Sequence, residues 1–258
     1  MNKIALISLS GGMDSTSLLL HLLNKNYNVY SLTYNYGQKH VIEIEKSKDI
    51  IKILNNKGFN IKQKIIDISS STSILDSSLT NKNSKIPKGH YQDKNMKETI
   101  VPNRNAIFIS FLYAYALTLN KNLSRPIDLS LGVHSGDHEI YPDCRPVFYE
   151  KIMDAFQEGN WNSKNISLYL PYVEFDKADI LKDALNSCDK LNLDFNKIFQ
   201  NTLTSYEPDA DGISNGKTGS DIERILAFNE LGLKDPIIYK DSWESVLNNA
   251  LKISNKLN

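Results

Sequence analysis

A short apolar segment that runs directly into a pair of glycines is the feature that most constrains the fold of this chain. Residues 4–10 are mainly apolar, Gly11 and Gly12 follow, and residues 14–23 have the composition of a helix. Two glycines let the backbone pass close to an anion and direct its N–H groups inward, and the positive end of the next helix favours phosphate. The pattern therefore predicts a strand, a phosphate-binding turn and a helix, which is how an α/β fold begins.

Strand-like apolar segments alternate with helical segments along the rest of the chain. Such alternation is typical of βαβ units, so we expect a doubly wound α/β fold with a parallel sheet of about five strands. We assign residues 1–200 to this domain and residues 201–258 to a small C-terminal annex packed on it. The predicted strands are residues 4–10, 28–36, 61–68, 127–134 and 167–173, and the predicted helices are residues 14–23, 40–54, 106–119, 146–157, 177–185 and 221–231.

Two segments between the third and fourth predicted strands carry further expectations. Residues 106–119 (AIFISFLYAYALTL) are apolar nearly all round, which predicts a helix that is buried on every side. Residues 69–98 are rich in Ser, Asn and Lys and poor in apolar positions. That composition predicts a long loop that forms a mobile lid.

Composition argues against several classes of protein. The 258 residues include 30 basic and 30 acidic side chains, and this balance argues against nucleic-acid binding through phosphate neutralisation. Cys144 and Cys188 are too few for a disulfide framework and fit a reducing compartment. No apolar stretch approaches the roughly 18 residues of a membrane span, and the first residues lack the pattern of a signal peptide. We therefore expect a cytoplasmic protein that binds neither membranes nor nucleic acid.

The hexapeptide SGGMDS at residues 10–15 offers the groups that a pyrophosphate needs. Serine hydroxyls flank the glycines, and Asp14 suits a magnesium ion shared with phosphate, or a helix cap. The alternative is an ordinary glycine-rich turn. A second candidate, Gly216-Lys217-Thr218, is rejected because Asp211 stands where a P-loop needs its first glycine and no strand precedes it. The predicted nucleotide-binding residues are Ser10, Gly11, Gly12, Met13, Asp14, Ser15 and Thr16.

Three further polar blocks adjoin predicted strands or helices. TYNYGQKH (33–40) follows the second strand, and VPNRN (101–105) precedes the apolar helix. GVHSGDH (132–138) follows the fourth strand and continues to YPDCRP (141–146). Because the carboxyl ends of parallel strands share one edge of the sheet, we expect the blocks after strands at the same edge as SGGMDS.

Each block also has a purely structural interpretation. Asn103 and Asn105 could be helix caps, and His134 and His138 could be hydrogen-bonded loop histidines. A zinc site from His134, His138 and Cys144 is conceivable, but no compact ligand spacing supports it. The crowding of Asp, His and Arg side chains after the fourth strand favours a functional site.

Together with SGGMDS, these blocks resemble the signature sequences of the 7-cyano-7-deazaguanine synthase family, in that family's order and spacing. The hexapeptide is similar to the PP-loop of the adenine-nucleotide α-hydrolase superfamily, whose members split ATP between its α and β phosphates. The resemblance extends to FNELGLKDP at residues 228–236 and so covers most of the chain.

The resemblance implies an adenine-nucleotide α-hydrolase-like fold that uses ATP and magnesium. The implied substrate is 7-carboxy-7-deazaguanine, whose carboxylate is adenylated, converted by ammonia to the amide and, after a second activation by ATP, dehydrated to the nitrile. A homodimer is the expected assembly. The implied catalytic residues are Asp14, Arg104, Asp137 and His138, and the implied substrate-binding residues are Tyr36, Gln38, His40, Asn103, Asn105, His134, Asp143 and Arg145.

The sequence departs from this family where the family carries four zinc cysteines. The aligned positions are Ser205, Asn215, Thr218 and Asp221, which would hold zinc poorly, so we expect none. Either packing replaces the metal, or the chain is a paralogue that joins the activated deazaguanine to a protein or another amine, for example in an anti-phage defence operon. A non-catalytic nucleotide-binding regulator is a third possibility, which the intact Asp14 argues against.

Overall fold

The computed structural model describes residues 2–81, 83–87, 94–137 and 141–255, with only the backbone of Lys94, Asn95 and Asp137. Five parallel strands form one sheet in the order β3-β2-β1-β4-β5, which confirms the predicted doubly wound α/β fold. The chain builds outward from β1 to β3 and then crosses back to β4, so the strand order reverses beside β1. The strands are β1 (Ile4–Ser8), β2 (Asn28–Asn35), β3 (Lys62–Asp67), β4 (Ile127–Ser130) and β5 (Ile166–Leu168).

Helices cover both faces of the sheet. None of the helices in the described part of the chain combines the length and the apolar character that a membrane span requires. The α-helices are α1 (Met13–Asn24), α2 (Ile42–Asn55), α3 (Ser69–Thr72), α4 (Arg104–Leu123), α5 (Pro146–Glu158), α6 (Lys177–Lys190), α7 (Phe195–Phe199), α8 (Gly219–Glu230) and α9 (Trp243–Ser254). Short 3₁₀ segments are Lys94–Thr99, Ser135–Asp137, Pro142–Cys144 and Ser163–Asn165.

The central strand β1 is apolar because both of its faces are buried. Ile4 and Leu6 belong to the core that α4 and α5 cover, whereas Ala5 and Ile7 belong to the core that α1, α2 and α6 cover. Side chains of a strand alternate between the two faces, so a central strand of a parallel sheet has no polar side. This is why the first segment of the chain is apolar without alternation.

Three predicted strands extend well beyond the observed ones at their carboxyl ends. Strand β1 ends at Ser8, β4 at Ser130 and β5 at Leu168, and not at Ser10, His134 and Val173. The residues that follow leave the sheet and enter the loops at its carboxyl edge. After β1 and β4, Ser10, Leu131, Gly132 and Val133 line the cleft described below, whereas Leu9 packs into the core.

The prediction that residues 106–119 are buried on every side is wrong, although the helix itself is confirmed as α4. One side of α4 is buried through Ile109, Leu112 and Ala116, whereas the side chain of Phe111 is 39% exposed. The helix packs on one face of the sheet, and none of the other described elements covers the side of the helix that faces away from the sheet. A helix in an outer layer buries only one stripe, whatever the composition of the other side.

The predicted loop at residues 69–98 lies against the core over its described part. Leu79, Ile86 and Met96 are buried there, and Leu79 O accepts a hydrogen bond from Lys39 N at 3.0 Å. Apolar side chains therefore anchor this segment, contrary to the expectation from its composition. Residues 82 and 88–93 lie outside the described residues, and the lid remains a prediction.

The C-terminal residues pack onto the main sheet through α8. Phe228 joins the core between α1 and α6, while Ile222 and Ile225 form a smaller cluster with Val246 and Ala250 of α9. The sequence analysis missed α9, although its apolar residues recur at helical spacing after a serine cap at residue 242. The division of the chain into two domains remains a prediction.

A buried carboxylate organises the region that aligns with the family's zinc cysteines. Asp221 accepts hydrogen bonds from the hydroxyls of Thr218 at 2.6 Å, Ser214 at 2.7 Å and Ser205 at 3.0 Å. The Thr218 N–H also donates to it at 3.1 Å, which completes a capping box at the start of α8. Three of the four aligned positions thus meet in one cluster, whereas Asn215 donates instead to Glu207.

A second buried group, the guanidinium of Arg224, joins α8 to the segment that precedes it. Arg224 donates to both carboxylate oxygens of Asp235, at 2.6 and 2.9 Å, and both side chains are fully buried. It also donates to the hydroxyls of Thr202 at 2.7 Å and Thr204 at 3.0 Å. Breaking a buried pair of this kind leaves a charge without a partner, which costs about 3–5 kcal/mol.

We expect Asp221→Ala to lower the free energy of unfolding by about 3 kcal/mol or more, because four buried donors lose their acceptor. The matched control is Asp211→Ala, which removes an exposed carboxylate from the same region and should change stability by less than about 0.5 kcal/mol. Denaturant titration measures both values. Equal effects of the two substitutions would contradict a stabilising role for the Asp221 cluster.

Candidate active site

A cleft of about 200 Å³ opens at the carboxyl ends of β1, β2 and β4. The SGGMDS turn forms one end, and side chains that follow β2 or begin α4 form the other. Residues 203–206, α6 and α8 complete the walls. Of the residues predicted from the sequence, those that line the cleft are Ser10, Gly12, Met13, Asp14, Ser15, Tyr36, His40, Arg104 and Asn105.

The turn that follows β1 has a conformation that only glycine allows. Gly11 has a φ of +89°, and a Cβ atom there would lie 2.6 Å from the carbonyl oxygen of Glu43. The Ser10 hydroxyl accepts a hydrogen bond from Gly12 N at 3.2 Å and lies 3.0 Å from the Ser15 hydroxyl. The turn is thereby held against α2, with its serines and the start of α1 facing the cleft.

Asp14 lies at the centre of a group of charged side chains. Its Oδ2 accepts a hydrogen bond from Lys177 Nζ at 2.9 Å, and that nitrogen lies 3.2 Å from His134 Nε2 and 3.9 Å from Glu223 Oε2. Burial acts to raise the pKa of Asp14, but Lys177 and then His134 outweigh it and hold the pKa below its ordinary value. Asp14 is therefore ionised at neutral pH and paired with a lysine that is only 7% exposed.

The other carboxylate oxygen of Asp14 is suited to a metal ion. Asp14 Oδ1 is buried and accepts no hydrogen bond from the described residues. Magnesium at phosphate sites is usually bound by one or two carboxylates together with phosphate oxygens. Within the described ranges, no group of three or more His, Cys, Asp or Glu residues could form a cage around a metal. Asp14 thus fits a magnesium ion that phosphates share.

Aromatic side chains form the other end of the cleft. Tyr36, Phe108 and Tyr206 line it, and the rings of Tyr36 and Phe108 meet edge to face with centroids 5.4 Å apart. Burial raises the pKa of Tyr36 to about 12, so its phenol is neutral. A slot with aromatic walls suits a flat heterocyclic ring.

Arg104, the first residue of α4, brings a positive charge to this aromatic end. It forms a hydrogen bond with Tyr36, and the groups that act on its charge are the phenols of Tyr36, Tyr206 and Tyr141 and the thiol of Cys144. Burial acts to lower the pKa of Arg104, but these neighbours raise it above its ordinary value. Phenols and a thiol do not neutralise a guanidinium at neutral pH, so these four neighbours do not compete with an anionic ligand for its charge.

Two of the three predicted residues in the turn after β2, Tyr36 and His40, line the cleft, whereas Gln38 does not. His40 lines the cleft, and its Nε2 lies 3.2 Å from the Glu43 carboxylate, which also lines it. Gln38 is buried away from the cleft. Its amide accepts from Tyr36 N and donates to Tyr34 O and to Glu43. Gln38 therefore stabilises the turn, and its side chain does not line the cleft.

The block at the start of α4 is fixed by the loop that follows residue 140. Asn103 occupies the N-cap position with a φ of 56°, but its side chain makes no capping hydrogen bond. Instead, the Asp143 carboxylate accepts from Asn105 N at 3.3 Å, and Asn105 Nδ2 donates to Asp143 O at 3.3 Å and to Cys144 Sγ at 3.4 Å. Asn103, Asp143 and the exposed Arg145 do not line the cleft.

The remaining predicted residues have different outcomes. Thr16 is fully buried within α1, and Gly11 packs against the backbone of α2; neither lines the cleft. His134 is buried and does not line the cleft, but its Nε2 lies 3.2 Å from Lys177 Nζ and 3.8 Å from Asp14 Oδ2. Only the backbone of Asp137 is described, within a 3₁₀ segment, and His138 lies outside the described residues.

Sequence reasoning missed Lys177, Glu43 and Thr204, which all line the cleft. Asp176 caps α6 and Lys177 begins it, so the pair has the appearance of an ordinary helix start. Glu43 has the pattern of an acidic residue in the first turn of a helix. Only the packing of α6 against α1 brings Lys177 to Asp14.

We expect Lys177→Met to lower turnover at least 100-fold. Lys182→Met replaces an exposed lysine on the same helix and should leave turnover unchanged.

The same substitution should also change how stability depends on pH. Because Lys177 lowers the pKa of Asp14, the contribution of this ion pair to the free energy of unfolding is fully present above about pH 4 and is lost as the pH falls further. The wild type should therefore lose stability relative to Lys177→Met in acid. Unfolding titrations at pH 7 and below pH 4 measure this, and a difference that does not change with pH would contradict the pairing.

Comparison with known proteins assigns the chain to a family. Residues 4–232 match the family model described as "Queuosine biosynthesis protein QueC". A 7-cyano-7-deazaguanine synthase of Psychromonas ingrahamii is 39% identical over 94% of this chain and 100% of its own length, and one of Caldicellulosiruptor saccharolyticus is 38% identical over 92% and 95%. The structure of NMN synthetase from Francisella tularensis is similar with a TM-score of 0.42 and 17% identity, covering 98% of this chain and 85% of that one, which is too distant to bear on function. The family match and the extended sequence identity establish that this chain belongs to the QueC family.

Proposed function

We propose that this protein uses ATP to activate the carboxylate of 7-carboxy-7-deazaguanine and converts it with ammonia, through the amide, to 7-cyano-7-deazaguanine. The observation that carries the proposal is a single cleft with a phosphate-binding turn and Lys177 at one end and Arg104 among aromatic rings at the other. Adenylation requires that a nucleotide and a carboxylate meet, and both ends open into the same space. The names of the sequence relatives supply the identity of the product.

The charged end of the cleft supports the departure of pyrophosphate. The Ser10 and Ser15 hydroxyls and the positive end of α1 favour phosphate oxygens, and Lys177 adds a cation. Asp14 would hold a magnesium ion through Oδ1, and a bound magnesium ion neutralises charge on the phosphates. Lys177 and the amides at the start of α1 then stabilise the charge that develops on the leaving group.

The aromatic end supports a flat substrate with a carboxylate. Tyr36, Phe108 and Tyr206 fit the two faces of a deazaguanine ring, and Arg104 lines the same cleft and interacts with both tyrosines. A guanidinium binds a carboxylate through two parallel hydrogen bonds. Such contacts orient the carboxylate towards the phosphate end of the cleft.

The chemistry balances over two rounds of activation. A carboxylate oxygen attacks the α-phosphorus, the bond to the β-phosphate oxygen breaks, and pyrophosphate leaves. Ammonia attacks the acyl carbon, AMP leaves and the surplus proton passes to solvent or a base, which gives the amide. In the second round the amide oxygen attacks the α-phosphorus of another ATP, pyrophosphate leaves, and the amide nitrogen loses one proton. Departure of AMP with loss of the second proton of that nitrogen then gives the nitrile, and both protons pass to solvent or a base.

The missing zinc ligands support a second candidate, transfer of the activated deazaguanine to a protein or another amine. Ser205, Thr218 and Asp221 do not fit a zinc ion because their donors and acceptors already satisfy one another. No step of the proposed chemistry passes through that region. Gene neighbours discriminate the candidates, because enzymes of queuosine biosynthesis favour the nitrile and effector or nucleotidyltransferase genes favour conjugation.

Incubation with ATP, 7-carboxy-7-deazaguanine and ammonia should yield AMP, pyrophosphate and the nitrile, measured by mass spectrometry. Asp14→Asn should keep the fold and lower turnover by orders of magnitude, because the charge of magnesium and pyrophosphate is then poorly balanced. ADP and phosphate as main products would refute adenylation. A product formed only with an added protein or amine other than ammonia would favour the second candidate.

We expect Arg104→Met to raise the KM for 7-carboxy-7-deazaguanine by about 10- to 100-fold, because a charged hydrogen-bond partner is lost. The KM for ATP should change much less. The amide intermediate lacks the carboxylate and so serves as the matched substrate, for which the penalty should be smaller. Arg125→Met is the control variant, since Arg125 is half-buried and bonds the backbone of Asn2 far from the cleft. Equal penalties for acid and amide would contradict the assignment of Arg104 to the carboxylate.

A further inference from the structure

The hydroxyl oxygen of Thr204 accepts two hydrogen bonds from buried groups. Its Oγ1 accepts from Arg224 Nη1 at 3.0 Å and from Met13 N at 3.3 Å. A threonine hydroxyl has two acceptor lone pairs and one proton, so both lone pairs are occupied. No acceptor for the proton occurs among the described residues.

The position of Thr204 leaves its hydroxyl proton one direction in which to donate a hydrogen bond. Thr204 lines the cleft beside Ser10, Gly12 and Met13 and is only partly buried. Arg224 approaches the oxygen from the side of α8, and Met13 approaches it from the start of α1. The hydroxyl proton therefore points towards the cleft, at the end where the phosphate-binding turn lies.

Arg224 makes this orientation obligatory. A guanidinium donates hydrogen bonds, never accepts them, and does not lose its proton in proteins. The Asp235 carboxylate accepts hydrogen bonds from Nε and Nη2 of Arg224, so the guanidinium cannot turn away from Thr204. Thr204 must accept from Arg224, so it can act on a ligand in the cleft only as a donor.

We propose that Thr204 binds a phosphate of the nucleotide as a hydrogen-bond donor and that Arg224 is the positioning residue that directs its hydroxyl. The inference rests on the proposed use of ATP. It also means that α8 completes the nucleotide site from outside the main sheet. Leu203 N, which donates to Gly11 O at 2.9 Å, fixes the same segment to the turn.

The test compares Thr204→Val, which removes the hydroxyl at nearly constant volume, with Thr204→Ser, which keeps it. The control is Thr202→Val, because Thr202 accepts from the same Arg224 nitrogen at 2.7 Å but does not line the cleft. Calorimetry measures the Kd for pyrophosphate and for ATP, each with magnesium. We expect Thr204→Val to weaken binding about tenfold or more, and Thr204→Ser and Thr202→Val to remain within about threefold of the wild type. Thr204→Ala provides the same comparison if Thr204→Val does not fold.

The outcomes separate this inference from the proposed function. Unchanged affinity in Thr204→Val, or equal weakening in Thr202→Val, would overturn the assignment of Thr204. A wild type that binds neither ATP nor pyrophosphate would overturn the proposed function and this inference with it. A wild type that binds both but forms no nitrile refutes the proposed product only, and the comparison of affinities still decides the role of Thr204.

Discussion

The guanidinium of Arg224 is the group around which the C-terminal part of the molecule is arranged. A buried arginine is tolerated only where its five N–H groups find acceptors, because an unpaired charge away from water is costly. Here Asp235 accepts on one side and Thr202, Thr204 and the Phe199 carbonyl on the other. These contacts hold the segment before α8 in one conformation, and that segment forms a wall of the cleft.

The cleft brings together two environments that favour different ligand groups. Asp14, Lys177 and the turn after β1 create a charged end in which burial strengthens every electrostatic contact. Arg104 lies at the other end among aromatic side chains, with His40 and Glu43 also in the wall. The proposed reaction between a nucleotide phosphate and the carboxylate of a flat ring needs both environments in one cleft. Loops after three neighbouring strands provide them because the carboxyl ends of parallel strands meet at one edge.

The region of the missing zinc ligands shows how a buried carboxylate can organise a loop. A zinc ion fixes its ligands by strong bonds in a tetrahedral arrangement. Asp221 instead accepts four hydrogen bonds, each directional and each from a buried group. Burial raises the pKa of Asp221, and the bonds from Ser214, Thr218 and Ser205 oppose that shift. The cluster is thus a compromise between the cost of burying a carboxylate and the cost of leaving its donors unsatisfied.

The sequence by itself determined the parallel sheet, the position of the turn at Gly11 and Gly12, and Asp14 beside it, because local pattern dictates a strand, a turn and a helix. It did not determine which side of α4 is buried, since an apolar composition all round does not say which neighbours exist. It could not identify Lys177 or Thr204, whose partners Asp14 and Met13 are more than 160 residues away in the chain. Only the packing of α6 on α1, and of α8 against the segment at residues 202–204, decided those contacts. Residues so far apart in the chain meet only through tertiary structure, and no local sequence pattern records that they do.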